Sequence, residues 1–218
     1  MSTRRSELEE NLRRVQSEIA PYSPTLIVVT KTYPISDVEI LHQLGAEHFG
    51  ENRSSEGLEK SARVSANWHY QGEIQSKKLR EIYGWADCIH SLDNQGHWEK
   101  LERISTEGQK EISLFLQLSL DGDSARGGAE EADLFTLARQ VTAHSKTTLL
   151  GIMCVPPVSM EPAAAFKKIA EVHRRFTAEF PESPYLSAGM SNDYMIALDH
   201  GATHIRVGSK ILGARQYH

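Results

Sequence analysis

Short apolar runs alternate with helix-period segments along almost the whole of this 218-residue chain, and that alternation leaves few architectures open. The runs that read as strands cover residues 26–31, 47–50, 68–72, 86–91, 112–120, 147–155, 185–187 and 203–208. Helix punctuation lies between them. Ser36 followed by Glu39 predicts a capping box, Gly45 a stop after Leu41 and Leu44, and Pro162 a helix start whose end is Pro181. Leu134, Leu137, Ala138 and Val141 mark one buried helical face. Eight strands each followed by a helix pair in parallel, and closing the sheet removes its edges, so the spacing predicts an α/β fold of the (β/α)8 TIM-barrel type. Ahead of it, Leu8, Leu12, Val15 and Ile19 predict an amphipathic helix within residues 1–22, packed on the barrel. The length is near the lower end for such barrels and predicts a single domain over residues 1–218. A doubly wound open sheet is the alternative, but it needs a glycine-rich turn after the first strand, and Lys31-Thr32-Tyr33-Pro34 is not one.

Charge narrows the partners. The net formal charge of -5 mixes 24 basic with 29 acidic residues over the whole length, which provides no broad basic field for nucleic acid or an anionic membrane. No apolar stretch reaches the roughly 20 residues of a membrane helix, and no hydrophobic signal core follows Arg4-Arg5, so a cytoplasmic protein is expected. A monomer is expected, although nothing in the sequence fixes the oligomeric state. Cys88 and Cys154, the only cysteines, sit inside apolar runs and read as free buried thiols.

Lys31 closes the first apolar run, at the strand end where barrel enzymes keep their chemistry. A lysine in a partly desolvated pocket loses some preference for its charged form, and its neutral amine can condense with a carbonyl; the plain alternative is a side chain that snorkels into water. The loops after the seventh and eighth strands, Ser187-Ala188-Gly189-Met190-Ser191-Asn192-Asp193 and Gly208-Ser209, have the backbone freedom and hydroxyls that a phosphate site requires. Ser191 is also suited to cap the helix that ends at Gly201, and each loop alone reads equally as ordinary turn chemistry. In the last strand Ile205 and Val207 share one face while His204 and Arg206 share the other. Arg206 therefore either points into the barrel, where it needs an internal carboxylate or a bound acceptor, or lies at the rim. An aldehyde, a phosphate and a ring acceptor occur together in pyridoxal 5′-phosphate (PLP). Lys31 would form the internal aldimine, Ser191 with Gly208-Ser209 would hold the phosphate, and Arg206 would face the pyridine nitrogen.

Several blocks extend this reading: Val28-Val29-Thr30-Lys31, Phe49-Gly50-Glu51-Asn52, Trp68-His69-Tyr70-Gln71-Gly72 with Gln75, Gly151-Ile152-Met153, Leu186-Ser187-Ala188-Gly189-Met190-Ser191, and Arg206-Val207-Gly208 followed by Gly213-Ala214-Arg215. In this order they resemble the pyridoxal-phosphate homeostasis proteins, also called proline synthase co-transcribed homologs, over nearly the whole chain. The resemblance implies a barrel like the N-terminal domain of alanine racemase, PLP joined to Lys31, phosphate contacts at Ser191, Gly208 and Ser209, Arg206 by the ring nitrogen and Asn52 close to the cofactor. It also implies a role in vitamin B6 homeostasis, with PLP-dependent apo-enzymes as recipients. Where the family usually has Gln-Ser-Asn-Lys, this chain reads Gln75-Ser76-Lys77-Lys78. His69 and Met153 could line the pocket or belong to rim and core, and residues 122–128, which include Arg126, form a loop over the mouth.

An arginine at the ring nitrogen disfavours the protonated pyridine that carbanion chemistry exploits. Racemisation needs an acid/base group on each face, and alanine racemase takes one, a tyrosine, from a second domain for which this chain has no room. Tyr33, Tyr70 and Tyr194 are candidate substitutes or amphipathic rim residues. A binding protein rather than an enzyme is therefore expected. A PLP-dependent racemase of low activity and a Schiff-base aldolase stand as the alternatives.

Overall fold

The computed structural model describes residues 3–108, 110–123 and 126–214. Arg215 of the last quoted motif and residues 124 and 125 of the loop over the mouth lie outside them. Eight strands, β1 (Thr25–Val29), β2 (His48–Glu51), β3 (Asn67–Tyr70), β4 (Cys88–Leu92), β5 (Ile112–Leu118), β6 (Thr147–Cys154), β7 (Tyr185–Met190) and β8 (His204–Val207), close into one barrel in sequence order. Every neighbouring pair is parallel, including β1 with β8, where Ile27 pairs with Arg206.

The connecting helices are α2 (Ile35–Gln43), α3 (Ser54–Ser61), α4 (Leu79–Trp85), α5 (Gln95–Glu107), α6 (Glu131–Thr142), α7 (Pro162–Glu179), α8 (Tyr194–Asp199) and the single turn α9 (Ser209–Leu212), with α1 (Arg4–Ile19) ahead of them. The stripe Leu134, Leu137, Ala138 and Val141 is buried on α6, and Pro162 opens α7. On α1 the buried set is Leu8, Leu12, Val15 and Ile19, each contributing roughly 1.5–3 kcal/mol by leaving water. That helix packs on α2 and α9. Arg4 fixes it there with a bidentate grip on Asp37 (3.2 and 2.6 Å) and a 2.9 Å bond to the Leu212 carbonyl.

Apolar burial is split unequally. The large cluster fills the layer between strands and helices, whereas Cys88, Phe115 and Met153 form a small separate core. Inward positions such as His69, His90, Ser187 and Arg206 are polar and buried, so hydrogen-bonding groups occupy space that branched apolar side chains fill in most barrels of this kind.

Two local expectations are corrected. No capping box forms at Ser36, because Pro34 is already the N-cap of α2, with extended backbone and no side-chain cap bond. Ser191 does not cap α8: that helix starts later, after Asp193, and the Ser191 hydroxyl is bonded to the next loop. Strand limits also shift. β1 stops at Val29, so Lys31 sits in the turn beyond it, and β7 continues to Met190 rather than ending at Ser187.

Candidate functional site

The turn that carries Lys31 is held from below. Thr30 takes the Gly50 carbonyl through its amide (3.0 Å), and its hydroxyl donates to Glu51 Oε1 (2.6 Å). From α3, Lys60 Nζ donates both to the Thr30 carbonyl (2.8 Å) and to Glu51 Oε1 (2.6 Å). Thr32 adopts a positive φ of 69°, rare for a side chain of its shape, and its amide is fixed by Glu56 at 2.7 Å. Glu51 is fully buried, and desolvation pushes its carboxyl above the usual range against the opposing pull of Lys60. The Lys31 backbone is thus clamped on both sides.

Because β1 and β8 are adjacent, Lys31 and Arg206 reach the same mouth. A cavity of about 360 Å³ opens there, and Lys31, Asn52, Ser191, Arg206, Gly208 and Ser209 all line it, together with Val29, Gln71 and Met153. The loops after β7 and β8 are tied by a 3.1 Å bond from the Gly208 amide to Ser191 Oγ. Gly189 makes the approach possible: its φ is +93°, and a Cβ would stand 2.7 Å from Ala197 Cβ and 2.9 Å from Tyr194 Cα.

Arg206 points into the barrel, buried, as one of the two readings of its strand required. Its acceptors are neutral: Nη1 donates to Ser187 Oγ (2.8 Å) and Nη2 to the Cys154 carbonyl (3.2 Å), rather than to an internal carboxylate. Burial pushes the guanidinium down to about 10. A guanidinium has five N–H donors, so these bonds leave others for a ligand in the cavity.

His69 lies inside the barrel between His48 (3.0 Å) and His90 (2.9 Å) and is not among the cavity-lining residues. Met153 lines the cavity. None of Tyr33, Tyr70 and Tyr194 does. Their hydroxyls are bonded to the Gly213 carbonyl, the Glu73 carbonyl and Glu18 respectively, and burial pushes Tyr70 up to about 12. Lys77 is exposed on the short 3-10 turn ahead of α4 and does not line the cavity. Arg126 straps its loop to the segment after β6, donating to the Val155 and Pro156 carbonyls (2.7 Å each). A second hollow of about 190 Å³, lined by Ser91, Asp93, Gln117 and Arg126, shares Asn52, Gln71, Met153 and Val155 with the first.

Three roles escape a reading of the sequence: that of Gln71, whose buried Nε2 lacks a partner; of Ser187, which anchors Arg206; and of His90, bonded to Ser187 at 2.9 Å. Period-two alternation in β4 and β7 carries a signal for the last two, since it turns them to the barrel interior.

A closed eight-stranded barrel with a lysine and an arginine converging on one mouth defines the class to which the chain belongs: residues 4–216 match the family model described as alanine racemase, N-terminal domain. Within that class it is a member of the pyridoxal phosphate homeostasis protein family. It is 38% identical to the protein of that name from Corynebacterium glutamicum over 88% of this chain and 91% of the relative, and 34% identical to that from Mycobacterium leprae over 96% and 93%. Solved PipY from Synechococcus elongatus with PLP bound superposes with a TM-score of 0.86 at 32% identity, covering 94% of this chain and all of PipY. Alanine racemase from Clostridium difficile shares the fold at a TM-score of 0.81 and 12% identity, with 57% of its length covered.

Proposed function

We propose that this protein binds PLP in the 360 Å³ cavity and serves vitamin B6 homeostasis as a carrier of the cofactor rather than as an enzyme that transforms amino acids. The observation that carries the reading is the convergence of an amine, a guanidinium and a paired amide–hydroxyl loop on one cavity of small-ligand size. The residues present fit the group. Lys31 would carry the aldehyde carbon, Ser191, Gly208 and Ser209 would hold the phosphate, and Arg206 would donate to the ring nitrogen. Asn52 and the unpartnered Gln71 Nε2 supply further donors beside it. When bound, PLP supplies a reactive carbonyl and an electron sink. The arginine lessens the second of these by favouring an unprotonated ring.

The relatives named for PLP homeostasis and the PLP-bound PipY structure support the ligand and the role. The hydroxyls of Tyr33, Tyr70 and Tyr194 are bonded to groups away from the cavity, so none of these three supplies the second acid/base group that a racemase needs on the opposite face. The protein acts in the cytoplasm as a monomer, and PLP-dependent apo-enzymes are the recipients.

Protein purified without added cofactor should be yellow, and borohydride should fix the chromophore to the peptide containing Lys31. A colourless protein, or label on another lysine, overturns the assignment. Incubation with single-enantiomer amino acids separates carrier from racemase: optical activity should persist, and its decay over many turnovers would establish catalysis.

A further inference from the structure

Beneath the cavity, largely buried polar side chains lie end to end across the barrel interior. Arg206 Nη1 donates to Ser187 Oγ at 2.8 Å, and Ser187 Oγ lies 2.9 Å from His90 Nδ1. His90 Nε2 lies 2.9 Å from His69 Nδ1, and His69 Nε2 lies 3.0 Å from His48 Nδ1. Ser187 and His90 have no exposed surface, whereas His48, the first residue of β2, is partly exposed and lines a separate cleft of about 250 Å³ with Leu12 and Gln16 of α1. The series therefore joins the site to a second, solvent-facing hollow.

The position of every hydrogen in it is set by elimination. A guanidinium can only donate, so Ser187 Oγ accepts from Arg206. The serine's own proton has one acceptor in reach among the described residues, His90 Nδ1, and a buried hydroxyl proton left unplaced would cost about 1–3 kcal/mol. His90 must then carry its hydrogen on Nε2 and donate to His69 Nδ1. His69 likewise donates from Nε2 to His48 Nδ1, and His48 keeps its hydrogen on Nε2. All three rings are neutral, in accord with burial holding His69 and His90 well below, and His48 below, the ordinary histidine value. Both nitrogens of His69 and of His90 are committed. The Cys88 thiol stands near enough for the three side chains to gather a metal ion, with ligand atoms within 4.8 Å of one another, but a metal would have to break the series.

We propose that Ser187, His90, His69 and His48 are positioning residues for Arg206, forming a polarised wire that holds its guanidinium protonated and that, in this resting arrangement, can release a proton outward to the His48 cleft but cannot take one up from it. A proton arriving from the cleft meets an N–H at His48, since each site-facing lone pair further in is already occupied. The outward step balances. The Arg206 Nη1–H bond breaks and a Ser187 O–H bond forms, and the former serine proton goes to His90 Nδ1. The His90 Nε2 proton goes to His69 Nδ1, the His69 Nε2 proton to His48 Nδ1, and the His48 Nε2 proton to water. The result is a neutral guanidine and three rings in the Nδ1–H form. Burial of Arg206 eases this release, whereas Cys154 on β6 and Asp193 after β7 favour the charged guanidinium. His204 on β8 faces His69 and His90, and Glu47 faces His48. For a cofactor whose ring nitrogen accepts from Arg206, which rests on the function proposed above, the wire shields that nitrogen from protonation through the barrel.

The test is nitrogen-15 NMR of the histidine side chains in the cofactor-free protein, so that its failure is separate from failure of the PLP assignment. At neutral pH, His48, His69 and His90 should all be neutral Nε2–H tautomers, whereas His42 and His200, whose Nδ1 atoms face the Ala46 and Ile196 carbonyls, should be Nδ1–H and serve as internal controls. Ser187→Ala removes the polarising hydroxyl and should convert the three rings, and not the controls, to tautomer mixtures. Zinc added to the wild type should leave the three signals unmoved. The proposal is overturned by a charged or Nδ1–H ring among the three in the wild type, by zinc-shifted signals, or by an S187A spectrum identical to wild type. Should S187A not fold, the wild-type spectrum decides alone: on raising the pH the three rings should change tautomer together or not at all, and a change in one ring without the others contradicts the wire.

Discussion

Lys60 Nζ lies 2.8 Å from the Thr30 carbonyl, so a buried cation of the third helix holds the peptide that immediately precedes Lys31. The same ammonium is paired with Glu51 at 2.6 Å, and neither partner has appreciable exposure. Replacing Lys60 with Met leaves the carboxylate buried and uncompensated. We expect a loss of about 3–5 kcal/mol in urea unfolding, and restoration of much of it when Glu51 is replaced by Gln in the same chain. A K60M loss below about 1 kcal/mol would show that the pair does not brace the turn.

Lys31→Ala should abolish absorbance from bound PLP and change stability by no more than about 0.5 kcal/mol, as expected for a half-buried side chain outside the core. Calorimetry on the variant with and without cofactor checks both halves of the statement.

Arg206→Ala removes charge-assisted donors from the cavity wall, where the proposed function sets them against the ring of PLP. Each such bond is worth about 1.5–3 kcal/mol, so PLP affinity should fall by about one to two orders of magnitude. Unchanged affinity by equilibrium dialysis would remove Arg206 from the site.

Gly189→Ala forces a side chain into a left-handed backbone and against Ala197 and Tyr194. A cost of about 1–3 kcal/mol is expected, with phosphate-dependent binding weakened because Ser191 follows two residues later. A wild-type midpoint in urea would contradict the close packing of that loop.

Acid should destabilise the fold earlier than its carboxylates alone require. His69, His90 and His204 are buried and depressed below 6.5 in the folded protein, His204 to about 4. The unfolded chain binds a proton at each near 6.5 and the folded one does not, so stability intact above 6.5 declines as pH falls toward the folded values. Each residue contributes up to about 1.4 kcal/mol per pH unit. Urea unfolding at a series of pH values reads the slope, and a flat profile between neutrality and about pH 5 would count against neutral interior histidines.

The barrel was legible because strand and helix periodicities are local, and each of the eight apolar runs recurs as a strand. That Lys31 and Arg206 reach one cavity was legible for the same reason, one from its place just past the first apolar run and the other from alternation with Ile205 and Val207. Ser36 misleads because a proline just ahead of it had already fixed the helix start, a competition that pattern reading does not weigh. The interior wire stayed hidden for a different reason. His48, His69 and His90 each sit on a separate strand, and only the register of the closed sheet, Gly50 with His69 and His69 with Cys88, brings them into line. Glu51 and Lys60 were hidden likewise, since nothing in their spacing says that helix α3 folds back to point an ammonium under the first turn.

The bond from Arg4 to the Leu212 carbonyl spans 208 positions, and with Asn11 on the Ile211 carbonyl it couples α1 to α9 across the barrel seam. Only half of the surface that α1 docks on comes from this far end of the barrel, since α2 and Asp37 supply the other half from nearby in sequence. Because β1 also pairs with β8, the segment that seals the barrel supplies the second wall of this dock, so loosening the seam would free one flank of α1 while the other stayed held.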